Sequence, residues 1–258
     1  MRRRETPRGS LERSLMILSR IVSDQAEHNV TALAGELGLP VPTVHRIVAG
    51  LAHSGFLSRV ARGRYGVGFA LRALATEACS TSSLAVLVRP ELDDLARRTR
   101  RIAHFGIFEG DMVTYLVKAG SNGDRLFTRE GMQLEAYCSG IGKILLADLD
   151  AADLDRYLSA GPFIALTDTT QTDPGVLRDE LERVRQDGFA MDDRSVAPDL
   201  TCFAVPVRWP DGRARGAISV STLAPDTIPH VDGLIARMRK SALAIEHRVF
   251  GQAGPRRP

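Results

Sequence analysis

The 258-residue sequence predicts a two-domain α+β chain: a small helical module with a hairpin in front, and a larger mixed α/β domain with a largely antiparallel sheet behind. Three observations carry this. Apolar residues recur at helical spacing up to about residue 53, then give way to two short extended runs around a glycine-containing turn. A hydroxyl-rich break, Ser80-Thr81-Ser82-Ser83, follows an Ala- and Leu-rich segment. Beyond it, turn signals alternate with amphipathic helical patterns.

Residues 1–9 are charged and expected to be loose, with Arg2, Arg3, Arg4 and Arg8 suited to phosphate. Leu11, Leu15, Leu18 and Val22 mark a first helix with Ser10 as its N-cap. Thr31 caps a short second helix that closes at Gly38, and Leu39-Pro40-Val41 form a turn. In the third helix Val44, Ile47, Val48 and Leu51 fall at i, i+3, i+4 and i+7, and Gly55 stops it in a left-handed conformation. Phe56 to Val60 and Arg64 to Val67 flank Ala61-Arg62-Gly63 as a hairpin. Helix, helix, turn, helix, hairpin is the order of a winged helix-turn-helix, assigned to residues 10–68. Residues 69–83 form a linker helix and break.

The second domain is assigned to residues 84–250. It opens on a helix carrying Leu84, Leu87, Val88, Leu92 and Leu95, with Pro90 near its first turns. Ile102 to Phe108 and Met112 to Lys118 flank Glu109-Gly110-Asp111 as a hairpin. A helix starts behind CSGIGK, at Gly140; another carries Leu177, Leu181 and Val184 and ends at Gly188. Leu200 to Arg208 and Arg213 to Ser221 flank the turn Pro210-Asp211-Gly212, a last helix spans about 229–250, and residues 251–258 are a tail.

Charge is unevenly placed. Residues 1–80 hold 11 Arg and 6 acidic residues, a balance of +5, whereas residues 81–258 balance to −2. A basic front end on a near-neutral body points to a polyanion partner. Cys79, Cys138 and Cys202 form no CxxC pair, so neither a disulfide framework nor a metal site is expected. No run reaches the length of a membrane span, and the charges in SLERSLMILSRIV argue against a signal peptide, so the expected location is the cytoplasm.

Burying the stripe of the third helix turns Pro42, Thr43, His45 and Arg46 to the other side, where the first turns of such a helix meet base edges of double-stranded DNA. Arg46 suits a bidentate contact to guanine. Thr43 and Thr31 suit phosphate or a thymine methyl, and Arg62 and Arg64 on the wing suit backbone or minor groove. His53, near the helix end, is expected to pack or face solvent. In the second domain, free amides at Gly140, Ile141 and Gly142 suit an anion. Ser219 and Ser221 share one face of a strand, and Cys202 shares their cavity, with Leu126, Leu134 and Leu200 as apolar walls.

Several blocks together resemble the isocitrate lyase regulator (IclR) family of bacterial transcription factors. LERSLMILSRI is similar to its first helix, TALAGELGLPVPTVHRIVAGLAHSGFL to its helix-turn-helix, and GRYGVGFALRALA to its wing and linker helix. CSGIGKILLADL, LRDELERVRQDGFAMDD and LTCFAVPVRWPDGRARGAISVS resemble three effector-domain blocks in the family's order. The resemblance implies a GAF/profilin-like effector domain and a small-molecule site at Gly140, Ile141, Asp192, Cys202, Ser219 and Ser221. It also implies a small carboxylic or aromatic acid as effector. One monomer covers only a few base pairs, so a homodimer on a pseudo-palindromic operator is expected, and the resemblance adds that such dimers often pair into tetramers. No cofactor, metal or catalytic residue is implied.

Departures from the family pattern are Arg194-Ser195 where an acidic pair is usual, Asp199 where glycine is common, and Tyr137-Cys138 where small or histidine residues are frequent. Arg194 either brings positive charge to the pocket mouth or pairs with Asp192 or Asp193. Two other functions compete. A thiol enzyme would draw on Cys138 or Cys202 with His104 and Asp192, and alkylation would abolish its turnover. A ligand-independent repressor whose second domain only oligomerises would show no metabolite response.

Overall fold

The computed structural model describes residues 9–78, 80–120, 126–224 and 230–251, and the chain divides into two compact units between Ser80 and Thr81. Arg2, Arg3, Arg4, Arg8, Cys79, and the tail beyond Gly251 lie outside the described residues.

The first unit runs α1 (Ser10–Asp24), α2 (Val30–Leu37), α3 (Val41–His53), β1 (Leu57–Ala61), β2 (Arg64–Val67) and α4 (Phe69–Ala78). Ile17 and Ile21 of α1 pack with Val30, Leu33, Ala34, Leu39, Val44, Val48 and Leu57. This corrects the expected face of α1. Leu11 and Leu15 are exposed and Leu18 is only half-buried, because α1 carries two apolar stripes about one residue apart. Periodicity finds both stripes; only the partner helices select one. The caps also differ from expectation. Gly9 rather than Ser10 precedes α1, and Asn29 rather than Thr31 caps α2, its Oδ1 accepting from the Ala32 amide at 2.9 Å. The turn before α3 is Gly38-Leu39-Pro40, since Val41 already belongs to the helix. Gly55, at φ +75°, holds the left-handed position just past α3. The hairpin tip is tied back: Gly63 O accepts from the Val30 amide at 2.8 Å.

The second unit runs α5 (Thr81–Thr99), β3 (Ile102–Glu109), β4 (Met112–Ala119), β5 (Gln133–Glu135), α6 (Gly140–Ala147), α7 (Ala151–Ser159), α8 (Pro174–Asp187), β6 (Ala190–Asp193), β7 (Leu200–Arg208), β8 (Ala214–Leu223) and α9 (Val231–Phe250). Helix α5 starts at Thr81, not Leu84, so Pro90 stands mid-helix and three of the four break residues form its first turn. Leu87 is exposed, while Val88, Leu92, Leu95 and Ala96 face inward.

The strands form one antiparallel sheet in the order β5-β4-β3-β8-β7-β6. One face packs Phe105, Phe203, Val205, Ile218 and Val220 against α5 and α9, through residues such as Leu92, Met238 and Ile245. The other face packs Ile102, Tyr115, Cys202, Ala204 and Ala217 against α6, α7 and α8, through Ile141, Leu145, Tyr157, Leu177 and Leu181. A layer of helices on each face buries both sides of the sheet. Register slips between Phe105 and Gly106, where Leu116 is the extra residue on β4. The bulge turns Val113 and Tyr115 to the α6 face, while Val117 and Ala119 stay on the α5 face.

Candidate functional site

In the first unit α3 presents an exposed polar surface. Val44 and Val48 are buried and Ile47 and Leu51 half-buried, so Pro42, His45 and Arg46 face solvent and Thr43 is half-buried. Pro42 sits in the first turn, where its missing N–H costs nothing. Among the described residues Arg46 has neither an ion pair nor a hydrogen-bond partner for its side chain, so the guanidinium is free to meet a ligand. Thr31 is exposed on the first turn of α2, and His53 is exposed at the end of α3. Arg62 and Arg64 are exposed on the wing, joined by Arg59, which pattern reading passed over. Arg59 leans on its own hairpin, donating to Ala61 O at 3.3 Å.

In the second unit the predicted pocket residues converge. Leu126, Leu134, Gly140, Ile141, Asp192, Leu200, Cys202, Ser219 and Ser221 all line one cavity between the α6 face of the sheet and the start of α6. Antiparallel register explains the grouping: Asp192 pairs with Cys202, Cys202 with Ser221, and Ser219 with His104. Five further residues complete the walls: His104, Tyr115, Thr128, Ser139 and Val196. The sequence singled out His104 only as the base of the competing thiol-enzyme reading, not as a pocket residue, and Tyr115 reaches the cavity through the β4 bulge. The room between the walls is small: a water centre can range over only about 10 Å³. That is about one water's worth, so an organic ligand requires the walls to part.

The start of α6 supplies fixed donors. Ser139 caps the helix, its Oγ accepting from Gly142 N at 3.1 Å, and Lys143 N donates to Ser139 O at 2.9 Å. Of the amides expected to be free, Gly142 is therefore taken, whereas those of Gly140 and Ile141 have no hydrogen-bond acceptor among the described residues and suit an anion. Gly142 must be glycine: a Cβ there would stand 2.1 Å from Ala136 O. Buried Lys143 turns from the cavity and donates to Glu180 at 2.7 Å and Met191 O at 3.3 Å, pinning α6 to α8 and β6.

Asp192 Oδ1 accepts from Ser195 N at 2.8 Å, whereas Oδ2 has no partner among the described residues. Burial pushes its carboxyl up to about 6, against the opposing pull of the Ser195 amide and Lys143. His104 Nε2 bonds Thr128 Oγ1 at 2.8 Å and its Nδ1 is likewise unpartnered. Burial first, and the Lys118 charge second, hold the imidazole down to about 3, so it is neutral. Cys202 Sγ lies 3.1 Å from Ser221 Oγ, and burial raises this thiol far above its usual range. Burial likewise pushes Cys138 up to about 12. Both thiols are thus held protonated, and neither hydrogen-bonds His104, which is the reverse of an activated nucleophile. Arg194 pairs with Asp193, Nε to Oδ1 at 3.1 Å.

Comparison with known proteins places this geometry. A profile described as "IclR helix-turn-helix domain" matches residues 10–61, and one described as "Bacterial transcriptional regulator IclR C-terminal" matches residues 76–247. The chain belongs to the IclR family. It is a transcriptional regulator with a DNA-binding helix-turn-helix. Among its IclR-family relatives, the HTH-type transcriptional regulator BhcR of Paracoccus denitrificans is 32% identical over 214 residues, covering 82% of this chain and 76% of that one. The DNA-binding transcriptional repressor YiaJ of Escherichia coli is 30% identical over 256 residues, covering 95% and 90%. The solved Thermotoga maritima IclR shares the fold, with a TM-score of 0.62 at 24% identity over 94% of this chain and 98% of that one. An IclR homologue from Microbacterium hydrocarbonoxydans, solved with 4-hydroxybenzoate, has a TM-score of 0.61 at 22% identity over 92% and 98%. Among the described residues, no helix is long and apolar enough to cross a membrane.

Proposed function

We propose that this regulator's affinity for a pseudo-palindromic operator is set by a small organic acid bound in the cavity of the second unit. The observation carrying this reading is that Asp192 and His104, each with a buried side-chain atom lacking a partner among the described residues, line one cavity with Gly140 and Ile141 at the start of α6. Buried polar groups without partners cost stability, and a ligand that satisfies them recovers it. A carboxylate suits the α6 amides with Ser219 and Ser221, and the 4-hydroxybenzoate bound by a structural relative is such an acid.

Residues 10–68 read DNA in this account, with Thr31, Pro42, Thr43, His45, Arg46, Arg62 and Arg64 at the interface; residues 84–250 bind the acid and oligomerise. A homodimer presents two reading heads to half-sites one helical turn apart, roughly 34 Å, or a multiple of it. Acid binding favours one arrangement of the heads and operator affinity follows. A gel shift on the promoter beside the protein's own gene, repeated with keto, hydroxy and aromatic acids, tests this. One class of acid is expected to move the shift midpoint. A midpoint unmoved by every acid would favour the ligand-independent repressor.

A further inference from the structure

We infer that His104 is a specificity-determining residue that reads a hydroxyl group on the effector, so that the ligand is a hydroxylated carboxylic acid. The inference rests on the acid-binding reading above and adds the second half of the ligand to it.

His104 is 1% exposed, lines the cavity, and uses only Nε2, leaving Nδ1 as a buried polar atom without a partner. A satisfied core histidine would use both nitrogens. Its ring is also fixed in place: Thr128 holds Nε2, and Tyr115 packs against it with ring centroids 4.8 Å apart. Polar atoms so positioned in a cavity wall are what confers selectivity on a largely apolar pocket.

Position and charge define what Nδ1 reads. β3, which carries His104, is separated from β6, which carries Asp192, by β8 and β7. At about 4.8 Å per strand their backbones lie roughly 14 Å apart. The two side chains therefore reach in from opposite walls, with Ser219, Ser221 and Cys202 between them. Among the described residues no Lys or Arg lines the cavity, and the nearby Lys118 ammonium is turned onto Leu126 O and Thr128 O. A second carboxylate at this wall would meet a neutral imidazole and lose its hydration with no direct ion pair, because the Lys118 ammonium already points at two carbonyls. An uncharged hydroxyl avoids that cost. It also satisfies Nδ1 in either tautomer, because it both donates and accepts.

Calorimetry with matched acids tests the assignment: glycolate against acetate, lactate against propionate and pyruvate, 3-hydroxybutyrate against butyrate, and 4-hydroxybenzoate against benzoate. In the wild-type chain the hydroxylated member of the binding set is expected to be favoured by about tenfold or more over its parent. His104→Asn leaves a polar atom near the Nδ1 position and should keep most of that preference. His104→Gln leaves one near Nε2, preserving the Thr128 contact, and should lose it. A purely structural histidine predicts the opposite order, so Gln outperforming Asn overturns the assignment. Equal affinity for a hydroxy acid and its parent, or a preference for pyruvate over lactate, overturns it as well. Binding of no acid in the panel overturns the acid-binding reading itself, and this inference with it. Histidine ¹⁵N spectra of the wild type give a readout without substitution: Nδ1, not Nε2, should move on adding the favoured acid, and an unmoved Nδ1 contradicts the proposal.

Discussion

Asp192 and His104 push the stability of the second unit in opposite directions with pH. The Asp192 carboxyl is raised to about 6, so its stabilising contribution is full below the unfolded value near 4 and is lost as pH rises through 6. The His104 imidazole is lowered to about 3, so its contribution is full above 6.5 and is lost as pH falls toward 3. Between pH 4 and 6 the two oppose each other. Asp192→Asn isolates one of them: it should stabilise the ligand-free protein at pH 7.5, by on the order of 2–3 kcal/mol, and by about half as much at pH 5. Thermal melts at the two pH values check this, and an equal gain at both would contradict the buried-carboxylate account. In the first unit, Arg46→Ala should weaken operator binding by about 1–3 kcal/mol without lowering the melting temperature, as footprinting and a thermal melt would show. Arg46 was legible in the sequence because the apolar stripe beneath it admits one orientation. Tyr115 was not, because a single bulged residue in β4 reverses the alternation that pattern reading depends on.

Among the elements, the long amphipathic helices and the hairpins around glycine turns were legible, since their periodicity and turn chemistry agree. The misses are short or ambiguous. β5 and β6 offer too few residues for alternation to register, and α7 lies among acidic residues with one narrow apolar stripe. α1 was found but rotated, because Leu11 and Leu15 mimic a core face. α6 was found together with its role, and its two glycines make separate predictions. A Cβ at Gly142 would strike the Ala136 carbonyl, so Gly142→Ala should cost several kcal/mol and disrupt the pocket. A Cβ at Gly140 would meet Ala204 at 3.4 Å, an ordinary contact, so Gly140→Ala should change stability by less than about 1 kcal/mol. Chemical denaturation distinguishes the two, and equal losses would contradict the close packing of α6. The α2 cap is smaller in scale: Asn29→Ala should cost about 1 kcal/mol in the same assay.

Over the whole molecule, the helix-turn-helix order and the α+β class could be read from the chain, whereas the sheet order could not. Adjacent placement of β3 and β8 is a pairing across more than a hundred residues, and no local pattern encodes it. That pairing sets His104 beside Ser219, so the pocket is a product of topology as much as of the residues that line it. In the proposed division of labour the first unit supplies operator contacts and the second supplies the response. Fluorescence anisotropy of a labelled promoter fragment, titrated with the full chain with and without saturating favoured acid, tests this most directly. An acid-dependent change of about 5- to 150-fold in operator affinity is expected in the wild type. In Ser219→Ala/Ser221→Ala the acid-free affinity should be unchanged and the response lost. A wild-type affinity indifferent to acid, or a full response retained in the double variant, would contradict it.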